Sequence, residues 1–466
     1  MKTRKASKGR VVLLLAAMMM MLVVSACSGG NKNNTEKTPD PAVAQNEGDK
    51  GSNEASGKSN NEASPEKRDP VTLTMVTNWT GEEPNIKAMF EDFNKHYPWI
   101  TIKVETVLEG PAAIVAKAVA LQVAGTPADL IMTSELTSGA DLYEDLAPRL
   151  ESDPDLKNVQ FPESFLDTYK VNGKLLALPG ANAAPFLIFV NKDLLEKHGM
   201  EMPAPDWTYD DMLEMAKKAT DPAAGEWGID PSGTVAVYLS SSMAIANGNA
   251  GGHTFLTADG SKSVANTPGV LADMQWIQEL QTKHKVTPDS KTAVDQSLGD
   301  AFMQGKALFT VQGPWMTGAY NEQAAFDWDV LFFPRGTVSQ PTLLLTAPFI
   351  QLSASKHKEE AWLYYKYMIS DEGRKFAIDW GDTPWGLNEE LQQYLFTNAK
   401  AWQGKNIDAI KQLYSGEVCC ASQGMNIVDY GDYSTAINGG LPPIMFDAAN
   451  IAEIFGPAAD KFNATR

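Results

Sequence analysis

Eleven tryptophans, all beyond residue 70, are the side chains of this 466-residue chain that most invite a chemical question. Trp276 and Trp362 fall within helical patterns, and they and Trp99 read as core, the ordinary fate of a large apolar ring. Trp79, Trp315, Trp380 and Trp385 stand instead at strand ends or in turns punctuated by Gly and Pro, as in Gly313-Pro314-Trp315 and Trp380-Gly381-Asp382-Thr383-Pro384-Trp385. A ring so placed is hard to bury entirely. A sugar offers a flat C–H face and a rim of hydroxyls, so a pocket for it stacks aromatic rings on the face and sets Asn, Asp, Glu and Ser around the rim. In a closed cleft those polar groups also penalise a ligand that leaves them unpaired.

Other chemistries find less support. His96, His198, His253, His284 and His357 are scattered, with no paired helical spacing and no neighbouring cysteine, so the sequence calls for no metal and no cofactor. There is no G-x-S-x-G turn, and local sequence suggests no Cys–His pair. A carboxylate pair for glycoside cleavage stays open, because 58 acidic residues are present and their separations are invisible in sequence. Gly57-Lys58-Ser59 with Gly51 upstream imitates a phosphate-binding loop, but the spacing is off by one and no strand or helix flanks it.

The elements that must position these residues begin after a long leader. Residues 11–24 form an apolar run preceded by Lys2, Arg4, Lys5, Lys8 and Arg10, with no acid among them. The run is short of the roughly 20 residues that span a membrane and fits an export signal. It stops at Val24-Ser25-Ala26-Cys27, which resembles the lipobox of bacterial lipoproteins. That resemblance implies cleavage before Cys27, acyl chains such as palmitate on it, and a protein held at the extracytoplasmic face of the cell membrane. Several chains supply the two or more signals that stable anchoring needs. Residues 28–70 hold no aromatic residue and Val43 as their only large aliphatic, the composition of a flexible tether.

The net charge is −19, and loss of residues 1–26 removes five basic side chains and no acid, leaving −24. Nucleic acid and anionic lipid are poor partners for such a surface. Cys419 and Cys420 are adjacent, so no disulfide framework is expected, and the pair reads as two small, semi-buried residues.

The body opens with an alternating strand over 71–76, a helical pattern at Ile86, Met89, Phe90, Phe93 and Tyr97, and a second alternation at Ile100, Ile102 and Val104. An apolar helix over about 111–123 and a strand at 130–132 complete β-α-β-α-β. Right-handed crossovers put the first strand between the other two, and ligands bind beyond the carboxyl ends of such strands. Those ends are Thr77-Asn78-Trp79-Thr80 and Thr133-Ser134-Glu135. A second unit of the same class starts at 186–190. Its helices follow the Thr208 and Asp211 capping pair and Thr267-Pro268, and its strand 307–311 runs into Trp315. Strand 328–333 and helix 359–369 come next. The remainder reads as a less regular, Gly-rich tail.

Several ordered stretches then converge on one family. IKAMFEDFNKHYPWITIKVE (86–105), AGTPADLIM (124–132), VNGKLLALP (171–179), FLIFVNKDLLEKHG (186–199), WTYDDMLEMAKKAT (207–220), AFMQGKALFTVQGPWM (301–316) and KEEAWLYYKYMISDEGRKFA (358–377) resemble the family 1 extracellular solute-binding proteins of carbohydrate ABC transporters, similar to maltodextrin-binding protein. The resemblance implies a type II periplasmic-binding α/β fold: two lobes of mainly parallel sheets around a hinge and a central cleft. One lobe would combine 71–179 with 320–370, the other 180–319 with 371–466. It implies a monomeric, non-enzymatic receptor that captures a carbohydrate and hands it to the permease subunits of an importer. It supports Trp315 as a stacking platform, and it suggests ligand contacts from Asn78 and Trp79, Ser134 and Glu135, and Asn182, with Tyr238 and the Gly251-Gly252-His253 region beside them. Trp380 and Trp385 complete the candidate set. A surface glycoside hydrolase and a binding lipoprotein for a non-sugar solute are the alternatives.

Overall fold

The computed structural model describes residues 68–466 except 158, 160, 162, 416–417 and 420–423. The export signal, Cys27, the tether, the decoy loop and Cys420 lie outside the described residues. Among the described residues no helix is long and apolar enough to cross a membrane.

The first sheet is built from the strands that alternation predicts. Val71–Thr77 lies between Ile100–Thr106 and Leu130–Ile131, parallel to both, so the expected order holds. Helices Pro84–His96 and Pro111–Val123 make the two crossovers, each opened by a proline whose missing N–H costs nothing at a helix start. Leu73, Met75, Val76, Phe93, Ile114 and Ile131 form its core with Trp362, Tyr364 and Tyr365 of helix Lys358–Ile369.

The second sheet orders as Trp328–Leu331, Leu187–Asn191, Ala307–Gln312, Trp227–Ile229. It is covered on both faces. Ile188 and Val190 face one core with helices Tyr209–Ala219, Gly233–Ala246 and Pro268–Thr282, while Leu187 and Phe189 face another with Trp328, Leu391 and Ile410. The Thr208 and Asp211 capping box is present, its Thr208 N–H donating to the carboxylate at 2.8 Å.

Two strands cross between these bodies. Leu178–Pro185 runs antiparallel to Thr342–Gln351, which at its far end pairs with Leu130–Ile131. Leu178 and Phe349 sit in the first core, whereas Phe186 and Leu343 sit in the second. Val418–Cys419 adds a short parallel strand to Thr342 and Leu343.

Two expectations need correction. Strand Trp328–Leu331 pairs antiparallel with Leu187–Asn191, so the boundary at 320 assigns it to the wrong body; its alternate side chains fill both faces of the second sheet's packing. The tail is helical, not irregular, with helices Glu389–Thr397, Ile407–Ser415, Tyr430–Asp447 and Ile451–Asn463. Pro442, Pro443 and Pro457 lie inside the last two, where propensity forbids them. Burial of Ile437, Leu441, Ile444, Met445, Phe455 and Phe462 in one shared core outweighs that local penalty.

Candidate functional site

Strand Ala307–Gln312 delivers Trp315 to the site. Gly313 allows it, since ring carbons of Trp315 occupy the place that a Cβ at residue 313 would take. Any larger residue there would push the indole off. Phe186 meets the same indole edge-on at 5.5 Å and 85°, and Trp315 remains 39 % exposed. The rings continue inward. Phe186 stacks on Tyr238 at 3.6 Å, and Tyr238 on His253 at 5.5 Å and 13°. Burial pushes the His253 imidazole down to about 4, so it is neutral at physiological pH, and its Nδ1 is buried without a hydrogen-bond partner.

Glu135 comes from the first sheet and reaches the second body. Its N–H donates to Thr133 Oγ1 at 3.1 Å, and its carbonyl accepts from the Tyr143 hydroxyl at 2.9 Å. Its carboxylate lies against Gly431, in the first turn of helix Tyr430–Asp447, where free N–H groups favour negative charge. Burial, with the Glu135 charge adding to it, pushes the neighbouring Tyr430 phenol up to about 12. Burial and then Tyr430 raise the Tyr238 phenol likewise. Trp315, Phe186, Tyr238 and His253 therefore form one continuous series of rings.

Trp79 and Trp380 meet in a separate recess. It lies between helix Pro84–His96 and helix Asp371–Asp379, lined by Trp79, Met89, Tyr367, Phe376, Trp380 and Asp382 among others. A second, apolar recess shares Trp79, Met89 and Met368 with it and runs to Gly180 and Pro348 of the crossing strands. The Trp380 turn packs on the Trp315 turn. Gly381, at φ +95°, leaves its Cα side against Thr317 and the Pro314 carbonyl, where a Cβ would come within 2.8 Å of Thr317 Cβ. The recess thus adjoins the platform.

Asp382 is the polar group that sequence reasoning passed over. It lines the recess, half-buried, and its carboxylate has no hydrogen bond or ion pair among the described residues. Burial alone pushes it up to about 7. A signal was available: a glycine directly after a helical pattern marks a helix end, and the residue following it is held in a fixed direction.

The remaining candidates divide. Asn78 and Ser134 are exposed at the carboxyl ends of their strands, beside half-buried Trp79 and Glu135. Asn182 lies on the crossing strand Leu178–Pro185, its side chain outside what the structure describes. Trp385 is a correction. It is 7 % exposed, its indole N–H donates to the Gly180 carbonyl, and its ring packs against the Arg374 guanidinium at 4.8 Å and Phe161 at 5.4 Å. Its N–H and its neighbours tie it to the crossing strand instead of to open space. Among the described residues no group of three or more His, Cys, Asp or Glu is placed to hold a metal ion.

Comparison with known proteins agrees with this architecture. The multiple sugar-binding protein of Streptococcus mutans is 25 % identical over 340 residues, covering 69 % of this chain and 76 % of that protein. An ABC substrate-binding protein of Listeria monocytogenes, solved in complex with cycloalternan, superposes with a TM-score of 0.70 at 23 % identity, over 85 % of this chain and 99 % of the other. A maltose-bound T. maritima protein superposes at 0.65 with 21 % identity, over 85 % and 100 %. These likenesses make the fold the type II periplasmic-binding one. Residues 78–375 match the family described as bacterial extracellular solute-binding protein, and the chain belongs to that family.

Proposed function

We propose that this protein is the substrate-binding component of a carbohydrate ABC importer, a monomer that captures a sugar or oligosaccharide between its lobes and delivers it to the permease. It turns nothing over. The carrying observation is the Trp315 indole, seated on Gly313 and edged by Phe186 with much of its surface free, at the carboxyl end of a strand where a ligand of an α/β sheet binds. The sugar-bound relatives support the ligand class.

In this reading one lobe comprises 71–179 with 342–370, and the other 180–331 with 371–466. The ligand closes them by binding the closed arrangement better than the open one. Cys27 carries the acyl chains after removal of the signal peptide, and 28–70 tether the body to the outer face of the membrane.

Thermal melting of the purified protein against a panel of maltodextrins, mannobiose, monosaccharides, amino acids and peptides tests the ligand class, because a ligand of the native state raises the melting temperature. Shifts from carbohydrates alone are expected. A shift confined to amino acids or peptides contradicts the reading. Mass spectrometry of the cell-derived N-terminus should find Cys27 acylated, and Cys27→Ala should release the protein from the membrane.

A further inference from the structure

The two recesses that share Trp79 differ in kind. One carries Asn85, Trp380 and Asp382, which bring N–H and carboxyl groups to it; the other is walled by thioethers, aliphatic groups and rings. Met75, Leu130 and Ile131 enter this second recess from the first sheet, and Pro348, Phe349 and Ile350 from a strand that crosses between the lobes. All six are buried. Trp79, Met89, Met132 and Met368 are half-buried, so the lining that meets solvent is indole and thioether. No charged residue lines it. Its one side-chain hydroxyl, on Tyr364, donates to Met89 Sδ at 4.0 Å, and the Gly180 carbonyl is already taken by the Trp385 indole N–H.

The apolar recess lies beyond the carboxyl ends of Val71–Thr77 and Leu130–Ile131, where a ligand of such a sheet binds. A sugar ring placed wholly inside it would leave hydroxyls without partners, a desolvation cost that its C–H face does not recover. Protein interiors close-pack, so open space with apolar walls at a ligand-binding edge fits an apolar group. Trp79 makes the two recesses continuous. A molecule that fills both is therefore polar at one end and apolar at the other.

We propose that the apolar recess is a subsite for the aglycone of a glycoside, with the sugar ring held outside it against Trp79 and Trp380 and an aryl or alkyl group inside. The inference rests on the carbohydrate reading above and deepens it by naming the substrate class. Methionine suits the role: its unbranched, polarizable side chain repacks around groups of different shape and makes favourable contacts with aromatic rings. An anionic substituent such as a phosphate would lose its hydration there with no cation in the lining to offset the loss.

Calorimetric titration of the purified protein compares methyl with phenyl glycosides of glucose, galactose, mannose and maltose, in both anomeric forms. For the sugar that binds, the phenyl glycoside should bind ~10- to 100-fold tighter than the methyl glycoside, the gain from burying an aromatic group. Ala347 and Met132 line the apolar recess and not its neighbour, so Ala347→Leu and Met132→Phe should fill it. In either variant the phenyl advantage should vanish while the methyl glycoside binds as before. A second measurement needs no variant: NMR signals of the Met89, Met132 and Met368 methyl groups in wild type should take ring-current shifts from the phenyl glycoside that the methyl glycoside does not cause. Equal affinity for the two glycosides, a phenyl advantage that survives in both variants, or methionine signals that respond alike to both overturn the proposal and leave the carbohydrate reading standing. Phenol that binds as tightly as the phenyl glycoside overturns it too, since the recess would then hold a free arene. Failure of every one of these glycosides, with maltodextrins still raising the melting temperature, overturns the proposal alone. No response from any carbohydrate overturns both.

Discussion

Two turns of this protein read almost alike, Gly313-Pro314-Trp315 and Thr383-Pro384-Trp385, and the fold uses their indoles in opposite ways. Trp315 lies on a residue with no side chain and stays 39 % exposed, while Trp385 is 7 % exposed and gives its N–H to the crossing strand at Gly180. The residue two places before the ring is part of the difference. A glycine there lets the indole fold back and leave surface free; a threonine does not offer that place. The rest is distant, since Gly180, Arg374 and Phe161 come from three other segments. Exposure of an aromatic ring is thus local at one turn and tertiary at the other.

The largest expected effect separates the two rings by stability. Trp385→Ala should destabilise the protein by about 3–5 kcal/mol in urea unfolding, the cost of emptying a packed indole site, whereas Trp315→Ala should cost about 1 kcal/mol or less. Equal losses would mean that Trp315 is core after all. The next test converts one turn toward the other. Gly313→Ala should displace the Trp315 indole and reduce sugar affinity ~10-fold, with a stability change of about 1 kcal/mol. Retained affinity would show that the ring does not need its seat on the backbone. The smallest effect concerns the opposite wall. Glu135→Gln should lose about 0.3–1 kcal/mol of attraction to the start of helix Tyr430–Asp447, a difference that salt should diminish and that urea unfolding at two salt concentrations would detect. A loss indifferent to salt would assign Glu135 a hydrogen-bonding role instead.

How much of this the chain discloses before folding depends on the range of the forces involved. Strand order around Val71–Thr77, the capping box at Thr208 and the proline-opened helices follow from periodicity and short-range chemistry, and all are visible in sequence. The C-terminal helices are hidden. Pro442, Pro443 and Pro457 mask them, and the burial that stabilises them comes from helices 150 or more residues earlier, such as Pro268–Thr282. The exposure of Trp315 is legible from its glycine and its strand. Asp382 was hidden because an aspartate after a helix-ending glycine looks solvated until the walls of its recess are known. Trp328–Leu331 was recognisable as a strand, yet its partner sheet is set by pairing with Leu187–Asn191, which no local pattern encodes.

The central claim is that Trp315 carries the ligand, and calorimetric titration of wild type and Trp315→Ala with the sugar that most raises the melting temperature tests it most directly. The account predicts at least ~10-fold weaker binding in the variant at a melting temperature without ligand lowered by no more than a few degrees, as loss of an aromatic stacking surface entails. Binding of the variant at wild-type strength would contradict it.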